Sequence, residues 1–566
     1  MSFIARDKRG DRTYLYEVES YRKDGEVKRR KLGYLGVEVE TETGVKFIPA
    51  HKGSIDRLDI QDDVSMGDVA AMFSIAQELN IADLIDRFSM KGGGPQAGPQ
   101  LTIMAINHAI RPSSISRIGY WVSGTAIPSI TGIEPETLNK DNLSSAMDGI
   151  CREVMSIDGE IRIIDKTLDI CKALSEVWSK AYEIPLDALY YDITSTYFEG
   201  VKCILAKFGY SRDKKGGKKQ INIALVITRK WHFPLFFKVY EGNILDHKTI
   251  NEVLKILKVK FHITKCTIIW DRGMVKPVNI RKADRARHKL ICGLKGSEVA
   301  IQNIILSVSD EELFKEEKRV RDLGNGDWIY ATAMERKLYG KKRKIVVYVN
   351  TQIRRDSKQK REMKLRCARA KLGAYRRKLK AGHYTKIDKV VSHVKACVKG
   401  VSKYFKPDYN QVDGRITINW EWKTEKLKEA DRLDGKFAIM SSDMSLDCQD
   451  IVDAYFEKDG IERAFRYMKQ ITELHPTRCR LESRVKVHVF ICFLGYLLLK
   501  TLEYKLQKSG IRMSAERAIE ELGRIRQVVL VDPTTQYSKI NMSRLSEIQK
   551  RIVRALEISG YINSES

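Results

Sequence analysis

Three carboxylates stand out by what surrounds them. Asp192 interrupts the β-branched and aromatic run ALYYDITSTYF (188–198), and Asp271 ends the apolar run TIIW, with Arg272 and Gly273 directly after it. Glu462 lies within YFEKDGIERAFRYMKQ (455–470). A lone acid at a strand end is usually structural, but three that converge pose an electrostatic problem. Two carboxylates about 4 Å apart repel by roughly 4 kcal/mol at an effective dielectric near 20, a cost that divalent cations remove. Oxygen-only donors select Mg²⁺ or Mn²⁺ over zinc. Two such ions about 3.5–4 Å apart suit in-line attack at phosphorus, activating one oxygen and stabilising the one that leaves.

The segment around Glu462 carries its own signal. On a continuous helix advancing about 100° per residue, Tyr455, Lys458, Glu462, Arg466 and Lys469 fall in a sector roughly 80° wide. A tyrosine, three cations and one acid make a poor core stripe but suit an anionic substrate held beside a metal. The competing reading is a surface helix with a Glu462–Arg466 ion pair, worth a few tenths of a kcal/mol. Gly460 weakens any helix here, a cost that a merely structural helix has no reason to carry. Near Asp271, Gly273 lets backbone approach a bulky substrate and Arg272 could meet phosphate.

These residues need a scaffold that brings them together. Strands are expected at 188–198, 221–228, 235–240, 266–270 and 288–294, with helices at 246–261, capped by Asp246, and 275–286. The order β-β-β-α-β-α-β implies a mixed sheet with helices packed on it, and it matches the ribonuclease H-like fold. In such a sheet the first and fourth strands are neighbours, so Asp192 and Asp271 meet, and a helix over residues 447–470 can carry Glu462 across that edge. Thr194, Ser195 and Asn243 are read as groups that fix loops around the site, and His247 and His488 as capping or core histidines.

The alternation breaks between 303 and 434, where strands at 328–337, 344–349 and 415–422 enclose a long polar helix. Between Arg354 and Lys403 there are eighteen Lys and Arg against three Asp and Glu. Leu365, Leu372 and Leu379 repeat at seven, so the segment has an apolar seam. Its charge is too one-sided for a merely solvated helix, which intersperses acids at i,i+4, and phosphate contact is expected. At the N-terminus, residues 13–35 alternate around Lys23-Asp24-Gly25, a hairpin pattern. Residues 65–150 are helical in period, either a plain bundle or a helix-turn-helix over 65–88. Residues 485–566 are expected to be helical and to close the core.

The 566 residues carry a formal net charge of +28, and the commonest reason for such an excess is a polyanionic partner, nucleic acid before an anionic membrane. The longest apolar run, 489–499, is too short to cross a bilayer and reads as a buried core helix. No charged region followed by an apolar one opens the chain, so nothing marks it for export. Ten cysteines without a C-x-x-C pair argue for free thiols in a reducing cytosol and against structural zinc.

The motifs YYDITSTYFEG, GYSRDKK, EGN ending at Asn243, WDRGM and IERAFRYMK together resemble the insertion-sequence transposases with an Asp-Asp-Glu triad on a ribonuclease H-like fold, over most of the chain. The branch it resembles carries a Tyr-x2-Arg-x3-Glu-x6-Lys signature, matched by Tyr455, Glu462 and Lys469, with Lys458 where arginine is usual. The resemblance implies an α/β chain divided as follows: an N-terminal β-hairpin region (1–50), a helical domain that binds DNA ends (51–180), a first catalytic part (181–302), a basic insertion domain of mixed β/α structure (303–433), a second catalytic part with the Glu helix (434–484) and a C-terminal helical region (485–566). It also implies catalysis by Asp192, Asp271 and Glu462 with two Mg²⁺ or Mn²⁺ ions. DNA contacts are expected from Tyr455, Lys458, Arg466, Lys469 and Arg272, with Trp328 stacking a flipped base in competition with Trp420 and Trp422. The implied activity is cut-and-paste transposition on double-stranded DNA, at terminal inverted repeats and target, by a homodimer in the cytoplasm, associated with the nucleoid. The alternatives are a nuclease that cuts without joining and a DNA-binding protein descended from a transposase.

Overall fold

The computed structural model describes residues 2–10, 12–23, 26–41, 44–49, 59–199, 203–210, 212, 217–381, 386–412, 415–472, 474, 480–531 and 538–562. The chain forms two compact units, one of residues 1–78, 109–143 and 501–566, the other of residues 79–108 and 144–500.

In the first unit the expected hairpin is the centre of a four-stranded antiparallel sheet, Ser2–Arg9, Arg12–Lys23, Glu26–Thr41 and Gly44–Pro49 in that order. Its Asp24-Gly25 turn lies outside the described residues. A second sheet pairs Asp59–Ser65 with Arg526–Val531 and the latter with Ser538–Met542. The purely helical reading of 485–566 is therefore corrected: RQVVLV is a short β-branched run, and such residues pack well on a pleated surface. Helix Gly67–Glu78 buries six consecutive residues, Gly67 to Met72. This helix packs as a core helix, as the first helix of either a plain bundle or a helix-turn-helix would. Inside it, Asp68 accepts hydrogen bonds from the Ser65 hydroxyl at 2.6 Å and the Val69 N–H at 2.8 Å.

The second unit is built on a nine-stranded sheet, its strands numbered here in chain order: β1 Ala188–Tyr197, β2 Gln220–Thr228, β3 Pro234–Glu241, β4 Thr267–Trp270, β5 Lys289–Gly293, β6 Arg319–Gly324, β7 Asp327–Leu338, β8 Lys341–Asn350 and β9 Lys436–Ser441. Their order across the sheet is β3-β2-β1-β4-β5-β9-β8-β7-β6. Only β1/β4 and β4/β5 are parallel; all other pairs are antiparallel. All nine residues of β2 are buried, as a strand covered on both faces requires. The helices that bear on the site are α1 Asp246–Val259, α2 Pro277–Arg285, α3 Thr351–Lys380, α4 Cys448–Phe456, α5 Asp459–Arg466 and α6 Glu482–Lys508. Helix α6 is long and apolar enough to cross a membrane by length and composition, but its most apolar stretch is 83% buried within the protein.

The insertion departs from expectation. Residues 319–350 do not begin a separate domain: β8 pairs with β9 from Lys344↔Ser441 to Val349↔Lys436, so β6–β8 extend the central sheet. Independence begins at α3. There Leu365, Leu372 and Leu379 pack with Val394 of the helix Ile387–Cys397 and with Ile416 and Ile418 of the hairpin 405–422. The seven-residue leucine repeat is the seam of this second core.

One ion pair pins the sheet to α2. Arg343 is 2% exposed, and its guanidinium grips both oxygens of Asp284 at 3.0 and 2.5 Å. Removing one member of such a pair strands the other's charge in a low-dielectric site. Arg343→Ala is expected to cost about 3–5 kcal/mol, read as a lower urea midpoint. An unchanged midpoint would show that Lys341, 3.7 Å from Asp284, takes over.

Candidate active site

The alternation of strand β1 sends its residues to two helical layers. The Tyr191 hydroxyl meets Thr249 of α1 at 2.5 Å, whereas the Tyr190 hydroxyl donates to the Ala454 carbonyl of α4 at 2.9 Å. Asp192, two residues beyond Tyr190, therefore faces the α4–α5 layer. Strand β4 runs parallel to β1, with Trp270 opposite Tyr191. Asp192 follows Tyr191 on β1, and Asp271 follows Trp270 just past the end of β4, so the register carries the two aspartates toward each other.

The expected continuous helix over 447–470 is broken at Glu457–Lys458, between α4 and α5. Here the backbone switches to i→i+3 bonds, Gly460 N–H to Glu457 O at 2.9 Å and Ile461 N–H to Lys458 O at 2.9 Å. After α5 the chain widens into a π-turn, Tyr467–Ile471. The single-face arrangement drawn on an unbroken helix is thereby altered. Tyr455, on α4, lies against β5: a Cβ on Gly293 would sit 2.3 Å from its hydroxyl. Burial raises the Tyr455 pKa, and the ring does not line the cavity described next.

A cavity of about 560 Å³ is lined by Asp192, Asp271 and Glu462 together with Arg212, Arg466 and Lys469. The structure thus brings all three acids to one cavity. Arg272 is exposed and does not line this cavity. Neither does Trp328, whose ring lies 5.0 Å from the Arg319 guanidinium; Trp420 and Trp422 lie similarly beside Arg376 and Arg369, at 5.2 and 5.5 Å. The Glu462–Arg466 ion pair of an ordinary surface helix is not formed: among the described residues Arg466 has no carboxylate partner within 4.0 Å.

The two aspartates differ in charge environment. Lys458, 12% exposed, reaches Asp271 with its ammonium at 3.1 Å. Burial pushes Asp271 up, but the Lys458 ammonium, with help from the Arg272 N–H and guanidinium, outweighs it and holds the carboxyl below the usual range. No cation pairs directly with Asp192 among the described residues. Burial lifts it to about 7, against the pull of the Ile193 N–H and the more distant charge of Lys458. Among the described residues no three His, Cys, Asp or Glu side chains approach closely enough to hold a metal ion. The acids share a cavity without closing into a coordination shell, and the cation beside Asp271 is the lysine.

Three features were not legible in the sequence. Asp246, read as a helix cap, makes no capping bond; Arg212 holds both its oxygens at 2.6 Å, and the Arg212 N–H donates to the Ser195 hydroxyl at 2.9 Å. Gly460 has a packing reason: a Cβ there would lie 2.2 Å from the His232 ring. His232 and Trp231, at φ +58° and +69°, form the left-handed β2–β3 turn that carries this ring against α5. Glu457, at the helix break, is held by Arg229 at 2.8 Å. Of these, Gly460 stands out in the sequence by its helix cost and Arg212 by the GYSRDKK stretch, but neither signal names the contact that the residue makes.

Residues 160–498 match the family described as Transposase DDE domain. No curated protein matches the sequence. Among solved structures the chain is similar to piggyBac transposase in a synaptic complex with hairpin DNA, at 9% identity over 83% of this chain and 81% of that one, with a TM-score of 0.38. It is also similar to Mos1 transposase in a paired-end complex with left transposon end, at 10% identity over 35% of this chain and 60% of that one, with a TM-score of 0.14.

An aspartate whose folded pKa is raised binds its proton more tightly folded than unfolded, so stability falls as pH rises from about 4 to about 7. In metal-free buffer, Asp192→Asn should therefore raise the melting temperature at pH 8 and leave it little changed near pH 4. Equal effects at both values would mean that Asp192 keeps an ordinary pKa. Gly460→Ala is expected to cost about 1–3 kcal/mol by overpacking, with His232→Gly in the same chain recovering most of it. If the double variant melts no higher than Gly460→Ala, the His232 contact is not the cause.

Proposed function

Since the chain belongs to the transposase DDE domain family, we propose that this DNA transposase is of the insertion-sequence type and that it cleaves and joins strands at the cavity holding Asp192, Asp271 and Glu462. The observation that carries this reading is the parallel register Trp270↔Tyr191, which sets Asp192 and Asp271 side by side beneath the helix that bears Glu462. The run β3-β2-β1-β4-β5, with only β1, β4 and β5 mutually parallel, is the strand order of a ribonuclease H-like sheet and supports that finer assignment.

The donor set is all carboxylate oxygen, a chemistry that suits hard divalent ions, Mg²⁺ or Mn²⁺; Asp192, Asp271 and Glu462 would hold them once drawn closer together than they stand here. When bound, such ions lower the pKa of an attacking water or hydroxyl and neutralise charge at phosphorus. The chain's own residues supply the rest. Lys458 neutralises Asp271 in the meantime and is placed to pass its charge to an incoming phosphate. Arg212, Arg466 and Lys469 offer phosphate-binding cations on the same cavity, with Arg212 exchanging Asp246 for a phosphate of equal or greater charge. In the first step a water oxygen attacks phosphorus and the P–O3′ bond breaks, leaving a 3′-OH and a 5′-phosphate. In the second that 3′ oxygen attacks a target phosphodiester, whose own P–O3′ bond breaks as the new one forms.

Substrate binding follows from charge. On α3, Lys358, Lys360, Lys364, Arg366 and Lys371 are exposed and form no ion pairs among the described residues, whereas Arg354, Arg355 and Arg361 are tied to carboxylates. The former group is suited to track a DNA backbone. Recognition of terminal inverted repeats and pairing of two ends by a homodimer complete the proposal.

The test is cleavage of DNA bearing the element's ends in Mg²⁺. Asp192→Asn, Asp271→Asn and Glu462→Gln should each lower cleavage by about a hundredfold to a thousandfold, the range seen when a transition-state charge stabiliser is lost, while DNA affinity survives. A fully active variant would remove that residue from the catalytic set, and a wild-type protein that binds the ends but never cuts them would favour a DNA-binding role alone.

A further inference from the structure

Glu462 belongs to two cavities. Besides the one lined by the acids, a second of about 540 Å³ opens on the other flank of α5, lined by Arg321, Arg463 and Arg466 with Phe456, Asp459 and Glu457 among its other walls. Only Glu462 and Arg466 line both.

The charges of this second cavity are unevenly satisfied. Glu457 is neutralised by Arg229 at 2.8 Å. The three arginines have no carboxylate within 4.0 Å among the described residues, although Asp459 precedes Arg463 by four positions and Glu462 precedes Arg466 by four. Arg321 projects from the edge strand β6, its guanidinium 5.5 Å from the Phe456 ring, a contact that holds the fork in place without consuming its hydrogen-bond donors. Three unpaired forks converging on one concave surface match the oxygens of phosphodiesters.

We propose that this cavity binds the backbone of the target DNA strand during joining. The inference rests on the transposase reading above. A 3′-OH produced at the acids remains at that cavity, and the phosphodiester it attacks must be presented from another side of the same carboxylate cluster. Glu462 is the acid that both cavities share, so a strand seated on Arg321, Arg463 and Arg466 lies against it. Arg321 and Arg463 line this cavity and not that of the acids, and they separate target capture from end cleavage.

The experiment supplies wild-type and Arg321→Gln/Arg463→Gln proteins with a labelled end oligonucleotide, either intact or already carrying its 3′-OH, and a separate plasmid target in Mg²⁺. Losing two charge-assisted contacts should lower joining to the plasmid about tenfold or more, with end cleavage at the wild-type rate and a shallower dependence of joining on salt. Arg463→Gln alone, at an exposed position, should show the same split in smaller degree, and Arg321→Lys/Arg463→Lys should restore part of the joining. Cleavage and joining reduced in equal proportion would assign the cavity to the donor end and overturn the proposal, as would joining that is unchanged. If the wild-type protein itself neither cuts nor joins, it is the transposase reading that fails.

Discussion

The site depends on a single pairing choice, the parallel alignment of β1 and β4 with Trp270 opposite Tyr191. A slip of one residue would send Asp271 to the opposite face of the sheet from Asp192, because strand side chains alternate with a period of two. That alignment is well protected. Leu189, Tyr190, Ile268 and Ile269 are at most 1% exposed, and displacing such side chains toward water costs about 1.5–3 kcal/mol each. The apolar residues thus hold two like charges beside each other, and the ammonium of Lys458 makes the arrangement tolerable by lying against one of them. Unequal compensation is the outcome: Asp271 stays ionised, while Asp192 is left to share whatever cation arrives.

The elements of this half of the molecule were readable because their patterns are strong. Strands of four to ten residues rich in Ile, Val and Tyr, separated by amphipathic helices, leave little freedom in type or order, and their ends fall within about three residues of expectation. What escaped notice depends on long-range contact. Beside the break at Glu457–Lys458 the β2–β3 turn brings His232 against Gly460, a meeting of residues 228 positions apart that local periodicity does not report. Asp246 looked like a cap because it stands at the start of a helix; its partner Arg212 lies on a loop without periodicity. Tyr455 shared a helical face with Glu462 on paper and lost it at the same break.

The insertion illustrates a different limit. Its charge and its leucine repeat were visible, and both survive in α3, whose apolar seam faces a small core while many of its cations stay in water. Its boundary was misplaced because β6–β8 have the composition of any strand, and sequence does not say which sheet a strand will join. By continuing the central sheet they carry Arg321 to the far flank of α5. A segment that reads as an appendage therefore supplies part of the wall of the second cavity, beside Glu462.

The pairing of residues 526–531 with 59–65 bears on how the chain matures. A ribosome finishes the whole of the nine-stranded sheet before it delivers the strand that 59–65 requires. Until then that early segment exposes an unsatisfied edge, the kind of surface that recruits other chains. Closure of the first unit accordingly waits for residues 526–531, with a loop of more than four hundred and fifty residues to draw shut. Chains lacking residues 526–531 would keep the nine-stranded sheet while presenting an unpaired strand at 59–65, and are expected to aggregate where the intact chain does not.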